Sequence, residues 1–201
     1  MDYQTQLEAA LKELKRITGI ELSLPAYSPD EEEAVLNQIR CLITAYKEKY
    51  NKTQFLLSLM TGPAPSYDIT ERAGRLHISA EERRVLFLLN VPGGMDGTIT
   101  EILKHLFPSR TKTYLVPVTE NALVIVKPLL TEDTEDDILQ SAHTIVDTLN
   151  MEALASVQVA YSRIFYHLQN LADAFRETSL ALKVGRLFTF GENVFAYNKL
   201  G

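Results

Sequence analysis

The sequence has 201 residues, of which 46% are hydrophobic and 23% are charged, and its formal net charge is −6. This composition is typical of one or two globular domains and argues against a disordered chain. Proteins that hold DNA by themselves usually present a basic surface, because they neutralise phosphates. The acidic balance therefore disfavours direct nucleic-acid binding by this segment.

Cysteine usage and hydropathy indicate the compartment. Cys41 is the one cysteine of the chain, so a disulfide framework is excluded and a reducing cytoplasm is expected. The residue lies among apolar neighbours, which predicts a buried thiol. No stretch approaches the roughly 18 apolar residues that a membrane span needs. The N-terminus also lacks the pattern of a signal peptide, so the sequence predicts a cytoplasmic protein without membrane contact.

Two amphipathic helices are predicted in the first third of the chain. Apolar residues recur at helical spacing over 3–18, and Gly19 follows where a C-terminal cap belongs. Ser28 and Glu31 have the spacing of a capping box, which predicts the start of a second helix there. The apolar pattern of that helix can extend to Thr61.

The second helix would be unusually long, and its partner is left open by the sequence. Residues 62–65, Gly-Pro-Ala-Pro, end it, and residues 51–53 are an alternative place for a break. Its heptad pattern is imperfect, because Lys49 and Thr53 fall on the seam. The helix could therefore pack on its own domain or pair with a second copy of the chain.

The remaining chain alternates predicted strands and helices. The apolar run 85–91 is typical of a central strand that is buried on both faces. The later elements are predicted as a helix over 98–107, a hairpin of strands 114–118 and 122–127, a helix over 135–149 closed by Asn150, a strand over 155–161, a helix over 169–184 stopped by Gly185, and a strand over 193–197. A short helix over 69–76 precedes them. This order predicts an α+β fold, an α/β sandwich with a mixed sheet and helices on its faces.

No motif with a known chemistry is present in the sequence. The four histidines, His77, His105, His143 and His167, are far apart and have no ligand at metal-binding spacing. Acidic runs at 30–33 and 132–137 precede helices, so favourable interaction with the helix dipole explains them. We therefore expect no catalytic residue, no metal and no cofactor.

One loop is a weak candidate for ligand binding. Gly93, Gly94 and Asp96 lie between a predicted strand and a predicted helix, where backbone amides can approach a phosphate. Their spacing matches neither a dinucleotide fingerprint nor a phosphate-binding loop, so an ordinary turn is the favoured interpretation.

The last third of the chain resembles a known family of regulators. The pattern is carried by Ala174-Phe175-Arg176-Glu177, Ala181-Leu182, Gly185 and Phe195-Ala196-Tyr197. It is similar to the end of the GGDEF-like domain in the sugar-diacid regulator (CdaR/PucR-like) family of transcription factors. The resemblance extends over about Thr53 to Gly201 and implies two segments, an N-terminal helical accessory or dimerisation segment at 1–52 and a degenerate GGDEF-like regulatory domain at 53–201.

The same resemblance implies which features of an active diguanylate cyclase should be missing here. In such an enzyme two hairpin glycines admit the nucleotide, and adjacent carboxylates hold metal ions. Here the hairpin over 118–122 reads Val-Thr-Glu-Asn-Ala, and the first strand ends in Asn90 instead of an aspartate. Without these groups the attack on a triphosphate lacks electrostatic support. The resemblance therefore predicts a protein that is not an enzyme.

Members of this family carry a helix-turn-helix after the GGDEF-like domain. The resemblance implies that such a DNA-binding domain would follow residue 201, and that the chain forms a homodimer that responds to an unknown small-molecule effector. One alternative is a ligand-binding module that retains affinity for a nucleotide or another small molecule, and a further alternative, which the missing glycines and carboxylates disfavour, is an active diguanylate cyclase.

Overall fold

The computed structural model describes residues 2–62 and 66–200. The chain forms two compact units, Met1–Lys52 and Thr53–Gly201, which we call the N-terminal unit and the C-terminal unit. The prolines that were predicted to end the long helix, at 63 and 65, lie outside the described residues.

The N-terminal unit is built from the two predicted helices. α1 spans Tyr3–Thr18, and Gly19 caps it with a φ of 72°. α2 follows a 3₁₀ turn and spans Glu32–Thr61 without a break at residues 51–53. The backbone N–H of Ser28 donates to Glu31 Oε2 over 2.8 Å, as the capping pattern predicts. Both helices are confirmed, and the last turns of α2 belong to the C-terminal unit.

Side-chain pairs show the direction in which α1 and α2 run. Arg40 donates to Gln6 over 3.0 Å, and Lys47 Nζ lies 3.1 Å from Glu13 Oε1. Both partners advance by seven residues, so the two helices are parallel and residues 19–28 return along them. The apolar core between them is small, with Leu7, Leu14 and Ile39 buried.

The face of α2 that carries Cys41 is exposed. The prediction of a buried thiol is wrong, because Cys41 points away from the seam that faces α1.

Leu42, Tyr46 and Tyr50 are also exposed, by 54%, 40% and 56%, at a spacing of four residues. We call these three residues the α2 stripe. Since side chains four residues apart share one helix face, the N-terminal unit presents a row of apolar groups to solvent.

The stability of the N-terminal unit should depend on pH through Glu13. Hydrogen bonds from Arg16 and Lys47 lower the pKa of Glu13 from 4.5 to about 2. A carboxylate with a lowered pKa contributes stability above its unfolded pKa, and the contribution is lost as the pH falls through the folded value. We therefore expect urea denaturation to show a loss of stability between pH 4.5 and pH 2.

Substitution should identify Glu13 as the source of this loss. Glu13→Gln should flatten the pH dependence, whereas the same change at Glu8, an exposed glutamate of α1, should leave it unaltered. Equal profiles for wild type and Glu13→Gln would contradict the assignment.

The C-terminal unit contains a sheet with helices on both faces, which confirms the predicted α+β sandwich. Its elements in chain order are α3 (Ser66–Arg75), β1 (Glu81–Asn90), α4 (Gly97–Leu106), β2 (Tyr114–Thr119), β3 (Ala122–Pro128), α5 (Glu135–Ala153), β4 (Gln158–Tyr161), β5 (Phe165–His167), α6 (Leu171–Phe188) and β6 (Val194–Ala196).

β1 is the central strand, as its unbroken apolar run predicts. The strand order is β2-β3-β1-β4-β6, and β5 pairs with the first residues of β1. β1 is antiparallel to β3, β4 and β5, whereas β4 and β6 are parallel. The sheet is therefore mixed.

Alternate residues of β1 point into two separate cores. Phe87 and Leu89 pack against α4 and α5 on one face. Leu86 and Leu88 pack against the last turns of α2, α3 and the start of α6 on the other face. Burial on both faces explains why the sequence of β1 shows no polar alternation.

Several predicted boundaries are corrected by the structure. α5 continues past Asn150 and ends at Ala153, and its C-cap Leu154 adopts a left-handed conformation with a φ of 51°. The strand predicted over 155–161 begins only at Gln158, and the short β5 was not predicted.

Gly185 has a different role from the one predicted. It does not stop α6, which continues to Phe188, and it is buried inside the helix. A Cβ added at this position would lie 2.2 Å from Cδ1 of Phe195, a residue of β6. The glycine is therefore needed for a close approach between α6 and the aromatic ring.

The charged side chain of Arg84 is buried in the C-terminal unit. Arg84 of β1 is 2% exposed, and its Nη2 donates to Ser79 O over 2.8 Å and to Glu82 Oε2 over 3.1 Å. Its Nη1 finds no hydrogen-bond partner among residues 2–62 and 66–200. Burial lowers the pKa of Arg84, against an opposing effect of Glu82.

Candidate functional site

The candidate ligand loop lies at the end of the sheet where β1 ends and β3 begins. Asn90, the last residue of β1, is opposite Ala122, the first residue of β3. The loop 91–96 and the hairpin turn 119–121 are therefore neighbours. The backbone N–H of Val91 donates to Asn121 O over 2.7 Å, which ties the two segments together.

The glycine loop uses its backbone amides internally. Gly94 has a φ of 87°, and its N–H donates to Val91 O over 2.9 Å. The N–H of Met95 donates to Glu120 O over 2.8 Å. Both amides donate hydrogen bonds to carbonyl groups of the chain itself, so the loop is a turn that is held against the hairpin.

Asp96 caps the helix that follows the loop. Its Oδ1 accepts the backbone N–H of Ile99 over 2.8 Å, at the first turn of α4. A carboxylate at this position satisfies an orphan amide and favours the helix dipole. Gly93, Gly94 and Asp96 are thus near one another, and Asp96 has a structural role. Ligand binding by the three residues stays a prediction.

β1 ends in a polar but uncharged residue, the amide Asn90. Asn90 Nδ2 donates to Gln158 Oε1 of β4 over 3.2 Å. Sequence reasoning noted Asn90 and missed Gln158, because the pairing of β4 with β1 cannot be deduced from one sequence. Two uncharged amides therefore occupy the place where the resemblance implies a metal-binding aspartate.

The acidic run before α5 is a helix cap. Asp137 Oδ2 accepts the backbone N–H of Thr134 over 2.7 Å, and this hydrogen bond lowers the pKa of Asp137. Leu130 N donates to Asp133 Oδ2 over 2.7 Å. The four histidines are exposed, His77 in a turn and the other three on separate elements. Within residues 2–62 and 66–200, no group of three or more acidic, histidine or cysteine side chains could hold a metal ion.

Two cavities lie elsewhere in the C-terminal unit. One of about 710 Å³ lies between β3 and α5, with Lys127 and Thr113 in its wall. The other, of about 620 Å³, lies between α5 and β6, with His143 and Glu192 in its wall. Neither cavity is lined by Gly93, Gly94 or Asp96.

The chain is similar to a solved structure and matches a sequence family. The structure of a bacterial light-regulated adenylyl cyclase is 9% identical, with a TM-score of 0.41 over 85% of this chain. This chain spans 56% of that cyclase chain. No curated protein matches the sequence. Among the described helices, none is both long and apolar enough to cross a membrane.

The sequence family is that of the GGDEF-like domain. Its match extends over residues 61–184, which is more than half of the chain and includes the strands β1 to β4. The matched region also contains the central strand, the hairpin and the helices on both faces of the sheet. The chain therefore belongs to the GGDEF-like domain family.

Proposed function

We propose that this chain is a non-catalytic regulatory and dimerisation module of a cytoplasmic bacterial transcription regulator of the CdaR/PucR-like type. Its DNA-binding helix-turn-helix would follow residue 201. The module would hold two such domains at a spacing set by the dimer, and an effector would change that arrangement.

The single observation that carries the proposal is the polar end of β1. Asn90 and Gln158 bind each other there through their amides, and the adjacent hairpin has no glycine. A cyclase needs carboxylates at this place to hold the metal ions that stabilise the transferring phosphoryl group. An amide pair supplies no negative charge for a cation, which supports a regulatory role.

An assay of cyclase activity tests the absence of catalysis. The chain should form no cyclic product from GTP or ATP in the presence of Mg²⁺. The neutral amides can be tested further by Asn90→Asp, which should also remain inactive because the hairpin still lacks glycines. Turnover by the wild-type chain would overturn the non-catalytic part of the proposal.

The alternative of a nucleotide-binding module is tested by calorimetry. Because the amides of Gly94 and Met95 are bonded internally, titration with GTP or a cyclic dinucleotide should give no saturable heat. A saturable isotherm that weakens in Gly93→Ala would favour the ligand-binding module instead.

The link to transcription is tested on the gene and on DNA. The reading frame beyond codon 201 should encode roughly 60 to 100 further residues with a basic helix-turn-helix pattern. The complete protein should bind its own promoter region in a mobility-shift assay, and residues 1–201 should not. A stop codon at this place would overturn the assignment to a DNA-binding regulator.

The α2 stripe supports dimerisation of the N-terminal unit. Leu42, Tyr46 and Tyr50 are exposed in the single chain, and the unit buries few apolar residues of its own. A 52-residue unit with so small a core gains stability by covering such a row of side chains. Pairing through α2 would bring two chains together along this face.

A charge placed in the stripe should weaken the assembly. We expect Leu42→Glu to lower the average mass in light scattering, because a carboxylate would be buried in an apolar contact. Asn37→Glu is the matched control, since Asn37 is exposed on the opposite side of α2. An unchanged mass for Leu42→Glu would contradict dimerisation through this face.

A further inference from the structure

Five large apolar side chains are exposed where α5 and α6 end. They are Met151 (78% exposed), Leu154 (89%), Leu187 (61%), Phe188 (78%) and Phe190 (91%). We call them the β4–β6 corner. Exposed apolar residues are common singly, but a group of them at one place is typical of an interaction surface.

The topology places these side chains at one end of the sheet. Residues 154–157 lead into β4, and residues 189–193 lead into β6. β4 and β6 are parallel neighbours, and the N–H of Val159 donates to Asn193 O over 2.8 Å. The two loops therefore enter adjacent strands from the same end.

Leu154 is unfavourable at its position on two independent grounds. Its φ of 51° is left-handed, a conformation that glycine or asparagine adopts at helix ends with less strain. Its side chain is 89% exposed and so gains nothing from burial in the single chain. A residue that costs stability locally without a gain in the fold is expected at a functional surface.

The charges beside the corner have opposite signs on the two faces of the sheet. α5 lies on one face and carries Asp147 and Glu152 in its last two turns, with no basic residue in its last turn. α6 packs on the other face and carries Lys183 and Arg186 towards its end. Acidic residues at a helix C-terminus are unfavourable for the helix dipole, so they too need a partner.

We propose that the β4–β6 corner is a contact with a second copy of this chain, related by a two-fold axis. In such an isologous contact the same patch faces itself. The acidic end of α5 in one copy then lies beside the basic end of α6 in the other. The apolar side chains of both copies cover one another at the centre. This contact goes beyond the proposed function and differs from the α2 stripe, so a chain that uses both contacts forms an assembly larger than the α2 dimer.

Analytical ultracentrifugation of the wild type and four variants separates the two contacts. Leu42→Glu removes the α2 contact, so a two-chain species should persist through the corner. Adding Phe190→Ser to that variant should leave single chains, because Phe190 is 91% exposed and its loss affects only the contact. Gln169→Ser, an exposed change near the other end of α6, is the control and should retain the two-chain species.

Each result assigns or removes one contact. Single chains in Leu42→Glu alone would overturn the corner and leave the α2 contact standing. Single chains in Phe190→Ser alone would support the corner and overturn the α2 contact. A wild-type chain that is monomeric at every concentration would overturn both the corner and the α2 contact.

The Leu154→Gly variant distinguishes a loss of self-association from a loss of folding. Glycine relieves the left-handed backbone, so the thermal midpoint of the variant should rise. Its self-association in the Leu42→Glu background should weaken by about tenfold, the effect typical of an energetically important interface residue. A rise in the midpoint with unchanged association would overturn the role of Leu154 in the contact.

Discussion

Gly185→Ala is expected to lower the free energy of unfolding of the C-terminal unit by about 2 kcal/mol or more. The added methyl group would lie 2.2 Å from Cδ1 and 2.5 Å from Cγ of Phe195. These atoms belong to the base of a buried ring, which cannot move away as the end of a flexible side chain can. Alanine is favoured over glycine in helices by about 1 kcal/mol, so the steric cost exceeds this gain.

Urea denaturation with a matched glycine checks this result. Gly74→Ala in α3 meets no atom within 4 Å, so it should be neutral or stabilise by up to about 1 kcal/mol. Phe195→Leu should recover part of the stability lost in Gly185→Ala, because it removes the ring. An unchanged stability of Gly185→Ala would show that α6 and β6 can separate without cost.

Arg84→Met is expected to raise the free energy of unfolding by about 1–2 kcal/mol, because methionine fills a similar volume without a charge. Arg84 is buried, and its Nη1 has no partner within the described chain. Such an unsatisfied donor costs about 1–3 kcal/mol. Its partner Glu82 is 34% exposed and can be hydrated when the guanidinium is removed.

Arg84→Ala and Arg83→Met distinguish the effect of the buried charge on stability from the effect of side-chain volume. Arg84→Ala should lower the stability by about 2–4 kcal/mol, because it leaves a cavity. Arg83→Met should not stabilise, since Arg83 donates to Leu130 O over 2.6 Å and to Asp133 O over 2.8 Å. A loss of stability in Arg84→Met would mean that the bonds of Nη2 outweigh the cost of burying the cation.

The order of strands and helices could be predicted because local patterns determine it. The apolar run of β1, the capping residues of α2 and the periodicity of α5 each lie within one element. β5 was missed because three residues are too few to show a pattern. Its pairing with β1 depends on a distant strand.

Two errors of interpretation have the same physical origin. A glycine after an apolar helical pattern is compatible with a cap or with a close contact, and only the position of Phe195 decides between them at Gly185. Cys41 has apolar neighbours in the sequence, but the helix turns it away from α1. In both cases the tertiary partner, which one sequence does not reveal, determines the role.

The candidate site was predictable only in part. The glycines at 93 and 94 marked a turn between a strand and a helix, and the structure contains that turn. The amide pair of Asn90 and Gln158 and the exposed corner at Phe190 depend on strand register and on which side chains are left uncovered. Neither property has a local signature.

β2 has a consequence for how copies of the chain can associate. It is an outer strand of the sheet, and its exposed Pro117 cannot donate a backbone hydrogen bond. The register also shifts between Pro117 and Thr119. Such an edge is a poor template for the addition of a further strand. Concentrated solutions should therefore resist growth of cross-β fibres from this side, and association should proceed between side-chain surfaces.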